Sequence, residues 1–141
     1  MSEEDYSELN KAIGLKSHGN GVGSFVYLRR IFERLIKYKI QEKFQGTDVS
    51  RVTSLRTKEK IESVKEMLLE FVLNNTALCS ILSKGIHDLD EKFCISHFET
   101  LKSAILLILE EDYQRKRNES VKKEISNDIN KIQQEFAVEN K

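Results

Sequence analysis

Proline and tryptophan are missing from this 141-residue chain, cysteine occurs only twice, and neither sign of charge is in excess. Each absence narrows the reading. A chain of this length without proline points to helix, because proline breaks helix interiors by removing a backbone donor and clashing with the preceding turn. Lysine plus arginine and aspartate plus glutamate are each 23, so the net charge is zero. That excludes a generic polyanion binder, which needs a strong basic excess, and leaves room only for a local basic patch. Cys79 and Cys94 have no paired spacing, which excludes a disulfide scaffold and makes a reducing cytoplasm the simpler setting. The longest apolar run, "AILLIL" at 104–109, is far too short to cross a membrane. The opening "MSEEDYSEL" is acidic and polar, unlike a signal peptide.

What is present is charge and helical periodicity. Hydrophobic residues make up 39% and charged residues 33%, enough for one modest core with solvated helices around it. The length suits a single domain over 1–141. A short helix is expected within 1–14, with Tyr6, Leu9 and Ile13 on one face and Gly14 as its stop. Ser24 is expected to cap a helix over 24–44, with Phe25, Leu28, Ile31, Phe32, Leu35 and Ile36 inward. The stretch 45–56 has loop chemistry. A third helix is expected over 57–73, with Ile61, Val64, Leu68 and Phe71 inward and "NNT" interrupting it. A fourth covers 77–84 and stops at Gly85. Asp90 caps a fifth over 91–117, which carries Phe93, Cys94, Phe98, Leu101, Ile105, Ile108 and Leu109. An amphipathic extension over 118–138 repeats Val121, Ile125, Ile129, Ile132 and Phe136 every three or four residues, a pattern that suits self-assembly. The predicted fold is an all-α, up-and-down bundle of four to five helices with a long C-terminal helix.

Four stretches bear on chemistry. "SHGNGVGS" (17–24) places a glycine-rich turn before a helix, where free N–H groups suit an anion. It lacks the Gly-Lys-Ser/Thr ending of a phosphate loop and the preceding strand of a dinucleotide fold, so a tight helix-to-helix joint is favoured. On the second helix Arg30, Arg34 and Lys37 lie opposite the apolar stripe, a cationic strip that a phosphate backbone can use. Arg29 and Glu33 form an i,i+4 pair on its flank. "SILSKGIHDLDEKFC" (80–94) sets His87 at a helix junction beside Ser83 and Lys84, as a clasp between helices, a metal ligand or a general base, the clasp being favoured. Cys94 and His97 share a helix face, but zinc needs two more ligands, from His18 and Cys79; no metal and no cofactor is expected.

The blocks "FVYLRRIFERLI", "LSKGIHDLDEKFC" and "AILLILEE" occur in the order that resembles the HEPN-like group of small all-helical prokaryotic domains. "AIGL", "GSFVYLRRIFE" and "ILSKGIHDL" are also similar to a prokaryotic family of uncharacterised function, in which this region follows another N-terminal segment. That likeness implies a C-terminal domain or a short relative. Catalytic HEPN domains are metal-independent ribonucleases with an arginine four to six residues before a histidine, across a dimer interface. His87 matches the histidine, but the window before it holds Ile81, Leu82 and Ser83, and Lys84 is the nearest cation. The resemblance therefore implies a degenerate member: a non-catalytic interaction or ligand-sensing module, homodimeric, with a protein or RNA partner and no membrane. Its expected site joins Arg29, Arg30, Glu33 and Arg34 to Ser83, Lys84 and His87. The alternatives are a ribonuclease using His87 and a nucleic-acid-binding domain without catalysis.

Overall fold

The structure is a computed structural model, and it describes residues 2–44, 57–67, 70–82 and 88–139. These residues form an all-α bundle with no strand among them. In chain order the elements are α1 (Glu3–Ser17), α2 (Gly21–Lys43), α3 (Thr57–Ser63), a 3₁₀ turn (Lys65–Met67), α4 (Glu70–Asn74), α5 (Thr76–Leu82) and α6 (Glu91–Glu139). The chain divides into two compact units, Met1–Leu109 and Glu110–Lys141.

Local chemistry explains the start of α1. The Ser2 side chain accepts from the Asp5 N–H at 3.1 Å, and Glu3, Glu4 and Asp5 place negative charge in the first turn. The helix passes through Gly14 rather than stopping there. It ends in a Schellman turn: the Asn20 N–H donates to the Leu15 carbonyl (2.8 Å) and the Gly19 N–H to the Lys16 carbonyl (3.0 Å). Gly19 takes the left-handed position of that turn, with φ +77°.

Asn20 then caps α2, its Oδ1 accepting from the Gly23 N–H at 3.1 Å. Ser24, expected as the cap, lies one turn inside the helix, where its buried hydroxyl donates to the Gly21 carbonyl at 2.6 Å. Asparagine won because its side chain reaches the first free N–H groups of the helix that begins directly after it.

The core of the first unit is one cluster. It takes Leu9 and Ala12 from α1 and Phe25, Leu28, Ile31, Phe32, Leu35, Ile36 and Ile40 from α2. Val64, Val72, Leu78 and Leu82 close one side, and Cys94, Phe98, Leu101, Ile105 and Ile108 of α6 complete it. The inward face of α1 differs from the expected one. Tyr6 and Ile13 are exposed, and Asp5 and Glu8 are buried beside Leu9. The third helix is also shorter than expected. A 3₁₀ turn follows Ser63, a new helix starts at Glu70, and Val72 rather than Phe71 is fully inside. The break at Asn75 falls within "NNT". Leu68, the expected loop over 45–56 and the expected junction over 83–87 lie outside the described residues.

In the second unit the helix continues without a break to Glu139. Val121, Ile125, Ile129, Ile132 and Phe136 are all exposed along it.

Candidate ligand-binding site

The glycine-rich joint supplies its own anion. At the N-terminus of α2 the Glu91 Oε2 accepts from the Gly21 N–H (2.6 Å) and the Val22 N–H (3.2 Å). This carboxylate, from the first residue of α6, sits where a bound phosphate would sit, so the free donors and partial positive charge of the helix end are satisfied within the chain. Gly21 is required by proximity: a Cβ there would lie 2.6 Å from the Glu91 carbonyl oxygen and 2.9 Å from Cys94 Cβ.

The cationic strip on α2, expected to be free for a phosphate backbone, is partly covered by carboxylates. α1 and α2 run antiparallel, which brings the acidic first turns of α1 against the second half of α2. Arg34 is only 12% exposed and bonds to Asp5 and to Glu8 (2.8 Å), with Glu4 at 3.2 Å. Burial alone would pull the guanidinium down, but the hydrogen bonds and charges of Glu8 and Asp5 hold it above its ordinary pKa. Arg30 pairs with Glu8 at 3.2 Å and lies over the Tyr27 ring. Periodicity places Arg34 opposite the apolar stripe; it cannot say that α1 covers that position with carboxylates.

Beside this network is a cavity of about 440 Å³, lined by Glu4, Arg30, Glu33, Arg34, Ile36, Lys37, Tyr38, Ile40 and Lys60. That volume is in the range of small-molecule sites. Ile36 and Ile40 are buried core residues, so the wall they form is apolar and fixed. Lys37 and Lys60 have no ion-pair partner among the described residues, and the Tyr38 ring is exposed. Arg30, Glu33, Arg34 and Lys37 follow the i, i+3, i+4, i+7 spacing of one helix face, the signal by which the sequence exposes this wall.

The structure thus brings three of the expected site residues, Arg30, Glu33 and Arg34, to one cavity. Arg29 stands beside it and bonds to Glu33 at 2.9 Å. Ser83, Lys84 and His87 lie outside the described residues. Lys37 belonged to the cationic strip, whereas Glu4, Tyr38 and Lys60 were not among the sequence candidates. Only the approach of α1 and α3 places Glu4 and Lys60 at the cavity, so no local pattern in the sequence marks them.

The remaining sequence candidates for metal chemistry are dispersed. Cys94 is buried, with its thiol pushed up to about 11 by desolvation and by the nearby Glu91 and Asp90 carboxylates. His97 packs its ring on Phe93 at 4.5 Å. His18 caps the end of α1. Among the described residues no group of three or more His, Cys, Asp and Glu is placed to hold a metal ion. No described helix is long and apolar enough to cross a membrane. No protein-family model matches the chain, and neither a curated protein nor a solved structure matches it.

Proposed function

We propose that this chain is a non-catalytic ligand-sensing or interaction module, similar to degenerate HEPN domains, that binds a small anionic ligand and works as a homodimer. One observation carries the ligand reading: the mixed cavity between α1, α2 and α3, with Lys37 and Lys60 unpaired among the described residues. Arginine and lysine stay protonated at neutral pH, so they attract and orient an anion rather than move protons. The exposed Tyr38 ring and the aliphatic stems of Lys37 and Lys60 offer apolar surface to whatever carries the charge. A phosphate or carboxylate on a small ring-bearing molecule fits that chemistry. RNA fits less well, because Arg34 is already neutralised by three carboxylates and the strip has lost its central cation.

Calorimetric titration with phenyl phosphate, beside inorganic phosphate, tests the ligand reading. Saturable binding is expected that weakens at least tenfold in Lys37→Gln/Lys60→Gln and falls with added salt. No saturable binding by the parent protein, or binding indifferent to the double substitution, overturns it. Single-stranded RNA bound with a steep salt slope by the parent, in place of phenyl phosphate, replaces it with the nucleic-acid reading.

A further inference from the structure

The tail helix offers a second, separate surface. Val121, Ile125, Ile129 and Ile132 are 43%, 52%, 57% and 65% exposed, on an uninterrupted stretch of helix. From Asn118 onward its other residues are polar or charged, apart from Phe136, Ala137 and Val138. At about 100° per residue these four side chains fall within roughly 80° of one another, a narrow stripe along one face. Val121 and Ile132 are eleven residues apart, as are Ile125 and Phe136. An eleven-residue repeat spans three helical turns, so the stripe keeps to one line instead of drifting around the helix. A helix gains most of its stability in water from covering such a face.

The flanks of the stripe differ in charge. Between 121 and 136 one flank carries Glu124, Asp128 and Glu135; the other carries Lys122, Ser126 and Gln133 and no acid. Two copies in antiparallel array would face acidic flank to acidic flank. Two copies in parallel array place each acidic flank against the Lys122 flank of the partner. We infer that the stripe over 121–136 is a parallel self-association surface, with a second copy of this chain as its occupant. This rests on the homodimer part of the functional reading and is independent of the cavity.

Light scattering on the full chain, with Ile125→Lys/Ile129→Lys as the disrupting variant, tests the surface. Both positions are exposed, and a retained urea transition checks that the first unit still folds. The parent is expected at twice the chain mass and the variant at the chain mass. A monomeric parent overturns both this inference and the homodimer reading. A parent dimer that survives the double substitution overturns this surface alone and leaves a dimer built elsewhere.

Orientation is read with Asn118→Cys, a residue on the line of the stripe at its start. In the parallel pair the two thiols meet and oxidise to a disulfide-linked dimer, over the background of Cys79 and Cys94 in the parent. An antiparallel pair holds them roughly 30 Å apart, twenty helical residues at about 1.5 Å each. Failure of Asn118→Cys to cross-link in a dimer that Ile125→Lys/Ile129→Lys abolishes overturns the parallel arrangement.

Discussion

The Glu91 carboxylate accepts a hydrogen bond from the Gly21 N–H at 2.6 Å, joining the first residue of α6 to the first residue of α2 across seventy positions of sequence. Two helix starts are thereby locked together at a point where the backbones nearly touch. The glycine permits the approach, and the carboxylate satisfies the donors that the approach buries.

Gly21→Ala is expected to lower stability by about 1–3 kcal/mol, the usual cost of forcing an extra methyl into a packed site. The obstacle is partly backbone, the Glu91 carbonyl, which cannot swing aside as a side chain can. Urea denaturation measures it. A midpoint unchanged from the parent would show that the two helix starts can separate at little cost.

Glu91→Ala removes an N-terminal cap with a full negative charge, and a loss of about 0.5–2 kcal/mol is expected. Glu91→Gln keeps an acceptor oxygen without the charge, so its stability should fall between those of the parent and Glu91→Ala. Thermal melts at low and high salt separate the charge from the hydrogen bond. The gap between the parent and Glu91→Gln should narrow as salt screens the helix end.

Arg34→Met is expected to destabilise the first unit strongly. It strands the buried Asp5 carboxylate and leaves the buried Glu8 carboxylate with Arg30 alone. A loss of about 3–5 kcal/mol is the expectation for breaking a buried ion pair from one side. Adding Asp5→Asn and Glu8→Leu to Arg34→Met should recover much of it. A triple variant no more stable than Arg34→Met would mean that the damage is steric rather than electrostatic.

Cys94 supplies a pH test. Its thiol titrates near 11 in the folded chain, above its ordinary 9, because burial and the Glu91 and Asp90 charges disfavour the thiolate. A raised thiol pKa means that the unfolded state loses its proton first as pH climbs. This group's contribution is therefore complete below pH 9 and declines between 9 and 11. In a Cys79→Ser background at pH 8, Cys94 is expected to resist a thiol-specific reagent until urea unfolds the chain. Rapid labelling of the native protein would show that the α2–α6 contact opens readily.

The helical character was legible because its signals are local. The apolar stripe of α2 from Phe25 to Ile36 is buried as its spacing demands, and Asp90 caps α6, its Oδ2 accepting from the Phe93 N–H at 3.3 Å. The misread positions share one cause. Ser24 is an adequate cap by residue type, but Asn20 stands nearer the Schellman turn and takes the role. Tyr6, Leu9 and Ile13 share a face by spacing, but a cation on the facing helix draws Asp5 and Glu8 inward and leaves Tyr6 and Ile13 exposed. For the binding face, the spacing of Arg30, Glu33, Arg34 and Lys37 marks one side of α2, and nothing in it announces Lys60 or Glu4.

Periodicity, the Asp90 cap and the absence of proline were enough to specify helices, the inward apolar face of α2 and the long amphipathic tail, because each depends on residues within a few turns of one another. Which polar side chains would be buried, which carboxylate would occupy the glycine-rich helix end and which cations would share a cavity depended on how α1, α3 and α6 pack on α2. Those contacts join residues tens of positions apart, and their energy exists only once the chain has closed on itself.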